Sequence, residues 1–503
     1  MRRFLKTAAV AGLVLALGQA PLALAAQSHT ADTSQKAAGK DFNLPPFPKA
    51  ASVMQTTHVD GKTLHYKVTV GWLPVLDAKG KMTGQVMYTA FTVPGKHRPV
   101  TFALNGGPGA SSVYLDFGAI GPKIVSFGVN GDYPSETPTL HDNPGTWLDF
   151  TDLVFIDPIG TGYSRALVDD KQATRLFYST DADIHYLSRI IYDWLVHNGR
   201  MDSRKYLVGE SYGGFRGPRI TDYLQTQLGV AMNGVVLFSP YLDQNGYVNR
   251  FQSPVQWMTT LPSIAAAHLE REGKLTDAAM QPIIHYTLTT YATTLMQGRT
   301  NPAAYQAMIQ KVTELTGLDP TFVKHSGGRI STGAYLREVH RSQGKLGSVY
   351  DSNVTSWDPF PYAPRQMAGD PLLTSIIAPT TQAMVHFITQ TVGWKYYGRY
   401  NALSYQVNRL WHEDDDARAG SVKQLRQSVA NDPHLRVLIA HGWNDLSCPF
   451  MGSVLIVNQI PQMGDPARVQ VKEYPGGHMF YARKDSRMAL RKDVMKLFQA
   501  TAQ

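Results

Sequence analysis

The stretch Tyr206-Leu207-Val208-Gly209-Glu210-Ser211-Tyr212-Gly213-Gly214 joins a short apolar run, read as a buried strand, to a segment from about 218 to 228 that can be helical. Glycines on both sides of Ser211 permit the tight strand-to-helix turn that lifts a hydroxyl above a sheet edge. In a chain with 43 glycines the bare G-x-S-x-G spacing is only suggestive, and the strand before it gives it weight. Ser211 is the expected nucleophile.

A serine attacks only when a base takes its proton, and the imidazole that does so needs an orienting carboxylate. On this kind of turn the order along the chain is Ser, acid, His. The apolar run 437–440 leads into His441-Gly442-Trp443-Asn444-Asp445, placing Asp445 just past a strand. His478, in Pro475-Gly476-Gly477-His478, is the single histidine beyond it. Asp432 precedes its strand instead of following it, and His441 reads as structural. The run 100–104 leads into Asn105-Gly106-Gly107-Pro108-Gly109, a glycine-rich turn where backbone N–H donors for a tetrahedral oxyanion are needed. A second such donor comes from the residue after the nucleophile, Tyr212.

Working outward, further strand-like runs fall at 64–70, 86–93, 153–156, 235–238 and 469–474, several continuously apolar, as in a sheet covered on both faces. Between them, 183–198 carries Ile184, Leu187, Ile190, Ile191, Trp194 and Leu195 at helical spacing, with Gly199 as a stop. The expected fold is α/β, a mostly parallel central sheet flanked by helices. The strand rhythm lapses from about 244 to 430, where helical patches at 277–296 and 302–315 suggest a largely helical cap inserted between core segments 49–243 and 431–503. Residues 1–26, with Arg2, Arg3 and Lys6 before an apolar run and Ala23-Leu24-Ala25, read as a cleavable signal peptide, and 27–48 as a mobile N-terminal segment. A periplasmic or secreted protein without stable membrane insertion is expected, because the apolar run is short of the ~20 residues a bilayer span needs.

Composition narrows the function classes. Charged residues make up 17% of the chain and hydrophobic ones 43%, which excludes disorder over most of its length. The net charge is +9, or about +6 once Arg2, Arg3 and Lys6 are set aside, and it is dispersed, so no nucleic-acid partner is expected. With one cysteine, Cys448, no intramolecular disulfide forms, and that thiol reads as buried and inert. The 16 histidines show no metal-binding spacing, so neither metal nor cofactor is expected. The acidic run from His412 to Asp416 reads as a solvated loop.

Taken together, the chain resembles the serine carboxypeptidase family, peptidase family S10, of the α/β-hydrolase superfamily. The likeness rests on Asn105-Gly-Gly-Pro-Gly, Asn143 and Trp147, Asp157-Pro-Ile-Gly160-Thr-Gly162-Tyr-Ser164, Gly209-Glu-Ser-Tyr-Gly-Gly, Gly442-x-x-Asp445-x-x-x-Pro449 and Gly477-His478. It implies a triad of Ser211, Asp445 and His478, and an oxyanion hole from the N–H groups of Gly107 and Tyr212. Asn105 and Glu210 would bind the substrate's free C-terminal carboxylate, so that peptide or protein C-termini are cut one residue at a time, favoured at acidic pH. Ala103, Ala110 and Ser239-Pro240 depart from the family's usual residues. The same triad also serves esterases, acyltransferases and proline aminopeptidases, and a catalytically dead binding protein would show a damaged triad or turn.

Overall fold

In the computed structural model, residues 45–95, 97–126, 135–243, 253–414 and 420–502 are described. The signal-peptide reading of 1–26 and most of the 27–48 segment lie outside them. Nine strands carry the architecture: β1 (Ala51–Val59), β2 (Lys62–Leu76), β3 (Met82–Thr92), β4 (Val100–Leu104), β5 (Asp152–Ile156), β6 (Lys205–Glu210), β7 (Gly234–Phe238), β8 (Arg436–Gly442) and β9 (Val469–Tyr474). They form one sheet in the order β1-β2-β3-β5-β4-β6-β7-β8-β9, with Arg165–Ala166 pairing onto β3. The first three neighbouring pairs are antiparallel and the remaining five parallel.

Every residue of β4, β5, β6 and β7 is buried, which is why these strands read as unbroken apolar runs. Period-2 alternation splits them between two cores. Ala103, Tyr206, Val208, Val236 and Phe238 face one layer, and Phe102, Leu104, Leu207, Val235 and Leu237 the other. On the second face lie α1 (Thr180–His197) and α2 (Tyr212–Gln227). α1 starts where the Ser179 side chain accepts the Ala182 N–H, carries Asp181 and Asp183 in its first turn and His197 in its last, and buries the six apolar residues named above. Each such side chain contributes roughly 1.5–3 kcal/mol, so this face, more than helix propensity, holds α1 in place.

The inserted stretch is not one unit. α3 (Val255–Arg271) and the helices through Thr332–Glu338 build their own small core around Ile264, Tyr291, Val312 and Tyr335. By contrast α4 (Pro371–His386) and the chain after it return Ala383, Met384, Phe387, Ile388 and Trp394 to the sheet's first face. α5 (Val422–Asn431) buries Leu425 and Val429 on the second. Within the expected 244–430 cap, the segments around 383–394 and 425–429 thus lie against the sheet, because a sheet this wide leaves a face that the flanking segments alone cannot bury. α4 and the turn after it are long and apolar enough to cross a membrane by composition, but four of those apolar side chains lie in the sheet's core. In the acidic run the Asp414 carboxylate accepts the Asp181 N–H at the start of α1 in a solvent-exposed bond, while Asp415 and Asp416 lie outside the described residues.

Candidate active site

Ser211 sits between the end of β6 and the first residue of α2 with φ 59° and ψ −121°, a backbone conformation costly for any residue with a side chain. Surrounding bonds hold it there. Its N–H donates to Phe238 O at 2.9 Å, and its carbonyl accepts the N–H groups of Gly214 at 2.9 Å and Tyr241 at 3.2 Å. The flanking glycines are sterically required. A Cβ on Gly209 would lie 2.1 Å from Gly213 O, and one on Gly213 2.2 Å from Leu104 O. Gly209→Ala is accordingly expected to destabilise the fold by about 3 kcal/mol, read as a lowered urea midpoint; an unchanged midpoint would show that the turn is not tight.

The glycine-rich turn after β4 packs directly on this elbow, for a Cβ on Gly106 would lie 2.5 Å from Tyr212 N. Tyr212 opens α2, so its N–H has no intrahelical acceptor. Gly107 is exposed beside it with φ 105°. Asn105 is fixed from three directions: its Oδ1 accepts Leu115 N–H at 3.0 Å, its carbonyl accepts Arg216 Nη1 at 2.7 Å, and its Nδ2 donates to Glu210 Oε2. Arg216 is itself buried and paired with Asp183 of α1. Glu210 is buried, and its Oε1 accepts the Tyr481 hydroxyl at 2.8 Å. Burial pushes the Glu210 carboxyl up to about 7, against the lowering effects of His478, Tyr481 and Asn105.

Asp445 and His478 reach the same end of the sheet from the loops after β8 and β9. His478 Nδ1 lies 2.8 Å from Asp445 Oδ2, both residues being buried. Asp445 Oδ1 accepts the N–H groups of Ser447 and Cys448 at 2.8 and 2.9 Å. Burial disfavours a charged His478 ring, but Asp445 beside it prevails and holds the imidazolium above its ordinary range. The Ser239 hydroxyl donates to His478 O at 2.9 Å, tying this loop to the end of β7. The Ser211 hydroxyl makes no hydrogen bond to a described residue. Cys448 is buried, its thiol pushed up by that burial; its sulfur lies within 4.8 Å of the ligand atoms of Asp445 and His478. Asp432, which precedes β8, lies at the strand's opposite end. His441 is buried, pushed down to about 4 by that burial, and its Nε2 is 2.8 Å from Ser453 Oγ.

The inserted stretch supplies positioning that no sequence motif announced. Tyr350 O accepts His478 N–H at 2.5 Å, Val349 O accepts Leu446 N–H at 3.1 Å, and the Tyr350 ring packs edge-on against the His478 ring at 5.2 Å. Arg483 spans Glu270 of α3 and Asp351, while Asn444, next to Asp445, donates to the same Glu270. These residues lack a fixed spacing to the triad, so no pattern could have found them. Tyr481, three residues past His478, is the exception, a near neighbour passed over because a tyrosine there has many possible uses.

Among relatives, the chain is similar to serine carboxypeptidase-like 36 from Arabidopsis thaliana, 27% identical over 209 residues that cover 40% of each chain. It is similar to the pheromone-processing carboxypeptidase kex1 from Sclerotinia sclerotiorum, 37% identical over 133 residues, 26% of this chain and 18% of the relative. The chain thus spans well under half the length of these relatives. Among solved structures, Kex1(delta)p, a prohormone-processing carboxypeptidase from Saccharomyces cerevisiae, shares the α/β-hydrolase fold. Its TM-score is 0.51 at 15% identity, covering 86% of this chain and 91% of the other. Residues 60–479 match the family model for serine carboxypeptidases, and the chain belongs to that family.

Proposed function

We propose that this chain is an exported serine carboxypeptidase that releases C-terminal residues from peptides through an acyl-enzyme. The observation that carries this reading is the buried Asn105–Glu210 pair, whose Glu210 immediately precedes Ser211 and whose carboxyl, pushed up to about 7, keeps a large share of its proton near neutral pH. A substrate's C-terminal carboxylate docks there only if Glu210 brings a proton, because two carboxylates at hydrogen-bond distance cannot both stay ionised. The last peptide bond then lies at Ser211. His478 takes the Ser211 proton while Asp445 holds its Nδ1–H, and the carbonyl oxygen gathers charge against the N–H groups of Gly107 and Tyr212. His478 next gives the proton to the leaving amine, and water attacks the acyl-enzyme by the reverse relay. Export rests on the residue pattern of 1–26.

The two titrations have opposite demands. His478 must be neutral to accept a proton and Glu210 neutral to receive a carboxylate, so peptide cleavage is bell-shaped in pH. The alkaline limb belongs to Glu210: kcat/KM on a free-carboxylate peptide is expected to fall as pH rises through about 7. A blocked peptide with a free and then an amidated C-terminus, digested at pH 5 and pH 7.5 and followed by mass, tests this. Stepwise loss of residues from the free form alone is the expected result, slowed on the acid side where the His478 imidazolium, held up by Asp445, keeps its proton and on the alkaline side where Glu210 loses its own. Cleavage of simple esters with both peptides left intact would keep the triad but defeat the carboxylate-binding role and favour an esterase.

A further inference from the structure

Glu210 is gripped at both oxygens, and the second grip comes from a residue outside the triad, the oxyanion donors and the Asn105 pair. Asn105 Nδ2 donates to Oε2 and the Tyr481 hydroxyl to Oε1 at 2.8 Å. A carboxyl group has about four lone-pair positions, so two inward donors leave the proton of a neutral Glu210 on an outward one, where a ligand carboxylate can accept it. Tyr481 cannot turn its hydroxyl elsewhere. It is fully buried, its ring is wedged against Phe238 and Phe480 at 5.8 Å from each, and Arg487 Nη1 grips its carbonyl at 2.7 Å. Gly118 makes room for the ring, since a Cβ there would come 3.3 Å from it.

Accepting the carboxypeptidase reading above, on which this rests, we infer that Tyr481 is a positioning residue that aims the Glu210 proton at the substrate carboxylate and sets the pH at which peptide binding is lost. Besides Tyr481, the titratable groups facing Glu210 are His478, Asp445 and Tyr114. None of these donates a hydrogen bond to either Glu210 oxygen among the described residues, so the hydroxyl of Tyr481 is the single donor there that a Tyr-to-Phe exchange removes without changing a charge. A phenol O–H stabilises the ionised carboxylate more than the neutral acid. Without it Glu210 keeps its proton to higher pH.

The test compares Tyr481→Phe with wild type on one blocked dipeptide as the free acid and as its methyl ester, with active enzyme counted by a fluorophosphonate that labels Ser211. For the free acid, the alkaline limb of kcat/KM is expected to move up by about one pH unit in Tyr481→Phe, while the ester profile stays put. A free-acid limb that stays put or moves down overturns the role of Tyr481 and leaves the carboxypeptidase reading intact. Wild-type limbs that are the same for acid and ester overturn both. If Tyr481→Phe gives no active titre, 3-fluorotyrosine protein serves in its place: its more acidic phenol is a stronger donor, and the free-acid limb is expected to move down. A limb that stays put or moves up in that protein overturns the role of Tyr481.

Discussion

Ser211→Ala is expected to lower kcat on a free-carboxylate peptide by about 10⁶-fold with little change in KM. The size follows from the division of labour in the site. Removing Oγ removes the bond-forming atom, while the two N–H groups at Gly107 and Tyr212 and the Asn105–Glu210 pair remain to bind peptide and polarise its carbonyl, leaving a residual acceleration of 10³–10⁴ over water. Binding is largely untouched because those groups hang on β4, β6 and α2, which do not depend on the hydroxyl: it makes no hydrogen bond to a described residue. The backbone at φ 59° is equally strained for Ser and Ala, so the variant should unfold at nearly the same urea concentration. Single-turnover mass spectrometry checks the assignment, since only wild type should gain an acyl adduct. Retention of more than about a hundredth of wild-type kcat would show that Ser211 is not the nucleophile, given the losses that triad serines show elsewhere.

The legible parts of this site are those that local geometry imposes on sequence. Ser211 must follow a strand and be flanked by glycines because the Gly213 and Gly209 backbones approach other main-chain atoms too closely for a Cβ. The buried parallel strands were visible as apolar runs because both faces are covered. β1 escaped notice for the complementary reason: at the sheet's edge it exposes every second residue along most of its length, and its Met-Gln-Thr-Thr-His stretch carries little apolar signal. α2 begins at Tyr212, well before the residue 218 that the pattern suggested, with Pro218 inside it; the glycines and proline that mark the elbow also hide the helix they start. Tyr350, Glu270 and Arg483 meet the catalytic loops through contacts more than 80 residues apart in sequence, which no window along one chain can reveal. That the chain around 383–394 covers the sheet is not legible in sequence, because a helix covering a sheet and a helix in a separate cap have the same amphipathic pattern.

Asp445→Asn is expected to cost about 10⁴-fold in kcat, for a reason written in the hydrogen bonds of the carboxylate. Oδ1 accepts two backbone N–H groups, from Ser447 and Cys448, and Oδ2 faces His478 Nδ1 at 2.8 Å. An asparagine must keep its oxygen where the two backbone donors point, so its NH₂ faces the ring. The imidazole then has to accept at Nδ1 and carry its proton on Nε2, the atom that should take the proton from Ser211. Asp445→Ala separates this tautomer effect from simple loss of a partner. Alanine leaves His478 free to take either tautomer, so its kcat should lie at or above that of the asparagine variant. It also strands the Ser447 and Cys448 N–H groups in a buried site, costing about 1–3 kcal/mol of stability that asparagine does not lose. The two variants should therefore rank in opposite orders, Ala at or above Asn in kcat and Asn above Ala in urea midpoint. If asparagine proves the more active of the two, the orientation of His478 is not what Asp445 supplies, and a purely electrostatic role for its charge has to replace it.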